Sequence, residues 1–178
     1  MGLLEKDDSI LLVIDMQERL LPVIHDRERI VENVIKLVRF SRLMDLPVVV
    51  TEQENLGETV PEIKERLRGL RPISKLEFDS FDVPAFAGEI RRLNRKRLVI
   101  TGIEAHVCVA QTALHGVPDY GVHVVSDAVS SRSPLDREIA LQRMMQAGVT
   151  LTSTEMVIFE LLKRAGTDRF REALKLVK

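Results

Sequence analysis

Short apolar runs alternate along this chain with longer stretches in which apolar residues recur every three or four positions. SILLVI (9–14), PVVVT (47–51), RLVIT (97–101) and VHVVS (122–126) are five or six residues long and rich in Val, Ile or Leu. Such runs read as strands buried on both faces, and TLT (150–152) is a weaker candidate. Between them, 26–44 sets Ile30, Val34, Leu37, Val38 and Leu43 close to one helical stripe, with Asp26 as a plausible cap. Segments 83–93 and 134–147 share that period; the second has Ser133 before Pro134 at the first helical position and Gly148 as its stop.

Strand–helix alternation of this kind predicts an α/β fold, a parallel sheet with helices on both faces. Right-handed crossovers then gather the carboxyl ends of the strands on one edge, where ligands of open sheets bind near a switch in strand order. Gly and Pro fall between elements, no repeat is evident and no low-complexity linker divides the chain, so 1–178 reads as one domain.

Composition narrows the function. The 26 basic and 27 acidic residues are well mixed and sum to −1, with no basic tail or aromatic-studded basic patch, which argues against nucleic acid as a main partner. In MGLLEKDDSILLVIDMQ the apolar run is too short for a membrane span and its charges are in the wrong order for a signal peptide. A single cysteine cannot form an internal disulfide and suits a reducing, cytoplasmic setting.

Three residues then stand out at strand ends. Asp15 follows five apolar residues directly, which places it at the carboxyl edge, partly desolvated; capping the next turn is the alternative role. Cys108, in RLVITGIEAHVCVAQTALHG, falls in the first turn of a helix that starts at that edge. Unpaired N–H groups there would lower a thiol pKa from about 8.5 to below 7.5, or hold an oxyanion. A small buried hydrophobe is the plainer role for a free cysteine. Lys75 stands alone among Ile73, Leu76 and Phe78; it either snorkels or stabilises a nearby thiolate. No dinucleotide or phosphate-binding glycine loop occurs. His25, His106, His115 and His123 form no HExxH pattern, and neither His115 nor His123 is well placed to serve Cys108.

Four blocks, LLVIDMQ, SKLEFDSF, LVITGIEAHVCVAQTAL and VVSDAVSSRSPLDREIALQRM, resemble in order the signature blocks of the isochorismatase-like cysteine hydrolases, over about residues 9–159. The resemblance implies a three-layer fold, a six-stranded parallel sheet between helices. It also implies a catalytic set of Asp15, Lys75 and Cys108. Cys108 would attack a carbonyl carbon, Asp15 would shuttle the proton and Lys75 would tune both charges. A cis peptide at Ile103–Glu104 is implied too, with the backbone N–H groups of Glu104 and Cys108 as oxyanion hole. Gln17, Leu20, Glu52, Phe78 and His106 are the expected pocket walls. Metal-dependent members of the family carry histidines where this chain has TEQEN (51–55), so no metal and no other cofactor is expected. Cys108 argues against vinyl-ether cleavage, and the TEQ and GIEAHVC variants look most like the isochorismatase-domain-containing subgroup. The expected activity is hydrolysis of a small carboxamide or related C–N bond, in a homo-oligomer, with a redox-sensing or non-catalytic protein, or an isochorismatase-type vinyl-ether hydrolase, as the alternatives.

Overall fold

The computed structural model describes residues 2–67 and 69–177. Six strands, β1 (Ser9–Ile14), β2 (Val48–Gln53), β3 (Ile73–Lys75), β4 (Arg97–Ile103), β5 (Gly121–Ser130) and β6 (Thr150–Thr152), make one parallel sheet in the order β3-β2-β1-β4-β5-β6. Alternation along β1 divides the core in two. Leu11 and Val13 pack toward α1 (Arg27–Met44), α6 (Thr154–Leu162) and α7 (Asp168–Val177), with Ile30, Val34, Leu37 and Ile158. Ile10, Leu12 and Ile14 pack toward α3 (Pro84–Leu93), α4 (Ala110–Gly116) and α5 (Pro134–Gln146), with Phe86, Ile90, Ala113 and Met144. Burying each large side chain of this kind stabilises the fold by about 1.5–3 kcal/mol. The short α2 (Pro61–Lys64) adds Ile63 to the first cluster.

Most elements lie where the apolar pattern puts them. β1 and β6 have the expected bounds, and Ser133 Oγ accepts from Asp136 N to cap α5. Gly148, at φ +100°, ends the turn after α5. Asp26 does not act as expected: at φ +57° it is left-handed rather than extended, so its carboxylate meets Arg29 at 2.6 Å instead of capping α1. β3 escapes the pattern because it is only three residues long and ends in a lysine.

The topology locates the site. β1, β2 and β3 step outward on one side, and the chain then returns to pair β4 with the other edge of β1. The order reverses between β1 and β4, so their carboxyl ends flank the crevice where such sheets bind ligands. Gly102 makes the contact close: at φ +125°, a Cβ there would lie 2.0 Å from the Ile14 carbonyl oxygen. Opposite, β5 carries extra residues between Val124 and Val129. From this bulge Asp127 Oδ1 accepts from both Thr154 N and Oγ1, anchoring the start of α6. Among the described residues, no helix is long and apolar enough to cross a membrane.

Candidate active site

Asp15 is the first residue past β1 and is left-handed, at φ +53°, a conformation that Asp tolerates better than most residues. Its N–H donates to the Thr51 carbonyl at 3.2 Å, and its own carbonyl accepts from Gln17 N at 2.8 Å. The turn drives the carboxylate into the protein, where Oδ1 accepts from Thr51 Oγ1 at 2.8 Å and Oδ2 accepts from Lys75 Nζ at 2.7 Å. Side-chain exposure of this pair is 1% for Asp15 and 0% for Lys75, so each charge depends on the other.

Lys75 reaches Asp15 from the end of the edge strand β3, across β2. Its ammonium also donates to Gln53 Oε1 at 2.6 Å and, more weakly, to the Glu77 carbonyl at 3.3 Å. The segment after Lys75 is tied down as well. Ser80 N donates to Thr112 Oγ1 at 3.0 Å, and Asp79 accepts from Phe81 N and pairs with His115 Nδ1 at 2.7 Å.

Cys108 enters from β4. The residues Ala105–Val109 form a π-helical turn before α4, so the thiol sits inside a widened turn rather than in the first turn of an α-helix. The Ile103–Glu104 bond is trans, and among the described residues no peptide is cis, which corrects the expectation of a cis bond there. Gly102 with its positive φ and Glu104 at φ −48°, ψ 110° lead the chain into the π turn.

The thiol is 6% exposed, and Sγ lies 3.9 Å from Gln53 Oε1. Burial first, then the Asp15 charge, push its pKa up to about 12, against the opposing pull of Lys75. The expected low-pKa thiolate is therefore not the resting form. Loss of hydration outweighs the ammonium because Lys75 is already paired with Asp15.

The structure thus brings Asp15, Lys75 and Cys108 together around Gln53. The other expected residues occupy different positions. Gln17 is fully buried, and its side chain bonds the backbone of Gln53 twice, at 2.9 and 2.8 Å, and the Gly57 carbonyl at 2.7 Å. Glu52 accepts from Thr59 N and Oγ1 at 2.6 and 2.7 Å. Leu20 packs against the core, and Phe78 is 54% exposed. His106 Nδ1 lies 2.9 Å from Ser131 Oγ and 3.1 Å from Glu104 Oε2. The other Glu104 oxygen accepts from Arg132 Nε at 2.6 Å, which ties the Cys108 turn to the segment after β5.

Gln53 and Thr51 are the site residues the sequence reading missed. Their signal was the one that exposed Asp15, a polar residue at the end of an apolar run, here TEQ after PVVV. Gln53 also bears on metal binding: its carbonyl faces the Lys75 ammonium, so a cation held there would meet a positive charge. Elsewhere, Asp79, Asp82 and His115 bring ligand atoms within 4.8 Å of one another, but none belongs to the Cys108 cluster.

Known proteins share this arrangement of strands. The chain is 38% identical over 182 residues to mouse isochorismatase domain-containing protein 2A, covering 100% of this chain and 86% of that one. A structure described as MAR1 ribonuclease from Caenorhabditis elegans superposes with a TM-score of 0.92 at 36% identity, covering 99% of this chain and 92% of that one. The Escherichia coli YcaC gene product, described as an octameric hydrolase of unknown specificity, gives 0.89 at 27% identity, covering 99% and 88%. The isochorismatase domain matches residues 9–156, and the chain belongs to the isochorismatase family of hydrolase folds.

Proposed function

We propose that the protein is a cysteine hydrolase that opens a small carboxamide or related C–N bond without a metal, through a thioester on Cys108. The observation that carries this reading is the convergence of Asp15 and Lys75 on the one buried thiol at the switch in strand order. Because the thiol rests protonated, attack is coupled to proton transfer: Asp15 takes the S–H proton as Sγ bonds to the carbonyl carbon. The backbone N–H groups of Glu104 and Cys108 are assigned to the oxyanion. Collapse expels the amine with the proton from Asp15, and a water, activated by the same carboxylate, hydrolyses the thioester. Lys75 holds the Asp15 carboxyl in place through its 2.7 Å contact with Oδ2. A lone thiol also suits the reducing cytoplasm.

Ammonia release from a panel of small amides tests this reading, with Cys108→Ala and Cys108→Ser beside the parent protein. Loss of turnover in both variants, with an acyl adduct on Cys108 by mass spectrometry, is expected. Full activity of Cys108→Ala on any substrate found would overturn it.

The relative described as a ribonuclease favours a second reading, cleavage of RNA. The mixed charge of this chain offers no phosphate-binding track, so labelled RNA is expected to remain intact under the same assay. The octameric relative supports self-association, for which Leu135 and Ile139, 64% and 54% exposed and one turn apart on α5, offer an apolar surface. Sedimentation of the parent and of Ile139→Lys checks that proposal.

A further inference from the structure

Gln53 occupies the centre of the site, although it is neither acid, base nor nucleophile. Its side-chain oxygen accepts from Lys75 Nζ at 2.6 Å and lies 3.9 Å from Cys108 Sγ, within reach of a thiol hydrogen bond. Its amide nitrogen donates to the Leu76 carbonyl at 2.7 Å, which settles the side-chain orientation: the oxygen must face the ammonium and the thiol. Behind it stands Gln17, which is fully buried. Gln17 Oε1 accepts from Gln53 N at 2.8 Å, and Gln17 Nε2 donates to the Gln53 carbonyl at 2.9 Å. One glutamine thus grips both backbone groups of the other.

We infer that Gln53, clamped by Gln17, is a positioning residue that sets the ionisation of Cys108 by sharing one carbonyl between the thiol and Lys75. This inference rests on the proposed Asp15–Lys75–Cys108 site and deepens it. Two effects follow from the geometry. A carbonyl that accepts from S–H favours the protonated thiol. It also engages an ammonium hydrogen that would otherwise turn toward sulfur, where it would favour the thiolate. Both effects hold the thiol in reserve until a substrate carbonyl arrives. The neutrality of the amide matters as much as its position. A carboxylate in its place would compete with Asp15 for Lys75 and repel the developing thiolate.

The test is the rate of iodoacetamide alkylation of Cys108 against pH, with intact mass as the readout and thermal melting to confirm folding. Gln53→Met and Gln53→Asn each withdraw the shared carbonyl without adding charge, and both are expected to accelerate alkylation at least threefold at pH 8.5. Gln53→Glu is expected to slow it about tenfold, the change in thiolate fraction when a thiol pKa rises by one. A residue that merely fills space would shift all three variants in the same direction. Rates in Gln53→Met and Gln53→Asn equal to or below the parent overturn the inference, whether or not Gln53→Glu folds. Lys75→Ala serves as the control for the underlying site. If it leaves the pH profile unchanged, the coupled site itself is wrong. If it moves the profile while the Gln53 variants do not, only the role of Gln53 fails.

Discussion

Lys75 and His123, buried at opposite edges of the sheet, meet their surroundings in opposite ways. At the carboxyl edge, Lys75 is fully buried yet its ammonium meets Asp15, Gln53 and the Glu77 carbonyl. At the amino edge, His123 near the start of β5 is 3% exposed, and its Nε2 has no hydrogen-bond partner among the described residues. Arg97 Nε, close by on β4, lies 3.6 Å from Asp8, beyond a good hydrogen bond. A mutually satisfied network is fragile because removing any member strands the others, whereas an orphaned group has nothing to strand. Dense satisfaction therefore marks the Asp15–Lys75–Gln53 cluster rather than a whole edge, since Glu104 Oε2 and Thr152 Oγ1 at the carboxyl edge also lack a hydrogen bond among the described residues.

The largest effect expected from breaking this contrast belongs to Gly102. Gly102→Ala would drive a Cβ into the Ile14 carbonyl at a backbone angle that suits only glycine, so a loss of more than about 4 kcal/mol, or failure to fold, is expected in urea unfolding. Lys75→Met comes next, because it leaves Asp15 buried without its counter-charge; a loss of about 3–5 kcal/mol is expected by the same measurement. Arg132→Ala strips one oxygen of the buried Glu104 of its donor and is expected to cost about 1–3 kcal/mol, with faster hydrogen exchange in the Ala105–Val109 turn.

His123 gives the smallest effect and the only one that reverses with pH. Burial, then the Arg97 charge, lower its pKa from the ordinary value of 6.5, against the pull of Glu160. The unfolded chain thus takes up a proton first as the pH falls. The stability contributed by the neutral native imidazole is complete above pH 6.5 and is lost as pH drops toward the lowered native value. His123→Met is expected to lie within about 1 kcal/mol of the parent at pH 7.5. Its melting temperature should fall less than the parent's between pH 7.5 and pH 5, and an equal fall would remove His123 from the account.

These contrasts were unevenly legible in the sequence. Apolar runs mark strands well when both faces are buried, so β1 and β4 were plain and Asp15 could be placed at the end of the first. β3 could not be read, because three residues carry no period; Lys75 stood out as a lone lysine among apolar residues, but its role stayed open between snorkelling and charge pairing until the family resemblance. The ammonium spans β2 to reach Asp15, a contact between residues 60 apart that no local pattern encodes. Gln53 stayed hidden for a related reason: a neutral amide at a strand end looks like any surface residue until its two acceptor contacts are seen. The ionisation of Cys108 is not legible from its place at a helix start, because that reasoning counts the nearby dipole and not the water removed, and here burial dominates.

The strand order has a consequence for synthesis. β1, β2 and β3, with α1 between the first two, can pair as the nascent chain emerges, carrying Asp15, Gln53 and Lys75. The other flank of β1 stays open until β4 has been made and docks there, with Gly102 closing on Ile14. Cys108 follows β4 out of the ribosome, so the thiol is the last member of the site to arrive and joins an Asp15–Lys75 ion pair already in place. A chain stalled before that moment presents an unpaired apolar strand edge, the feature on which aggregation and chaperone capture act.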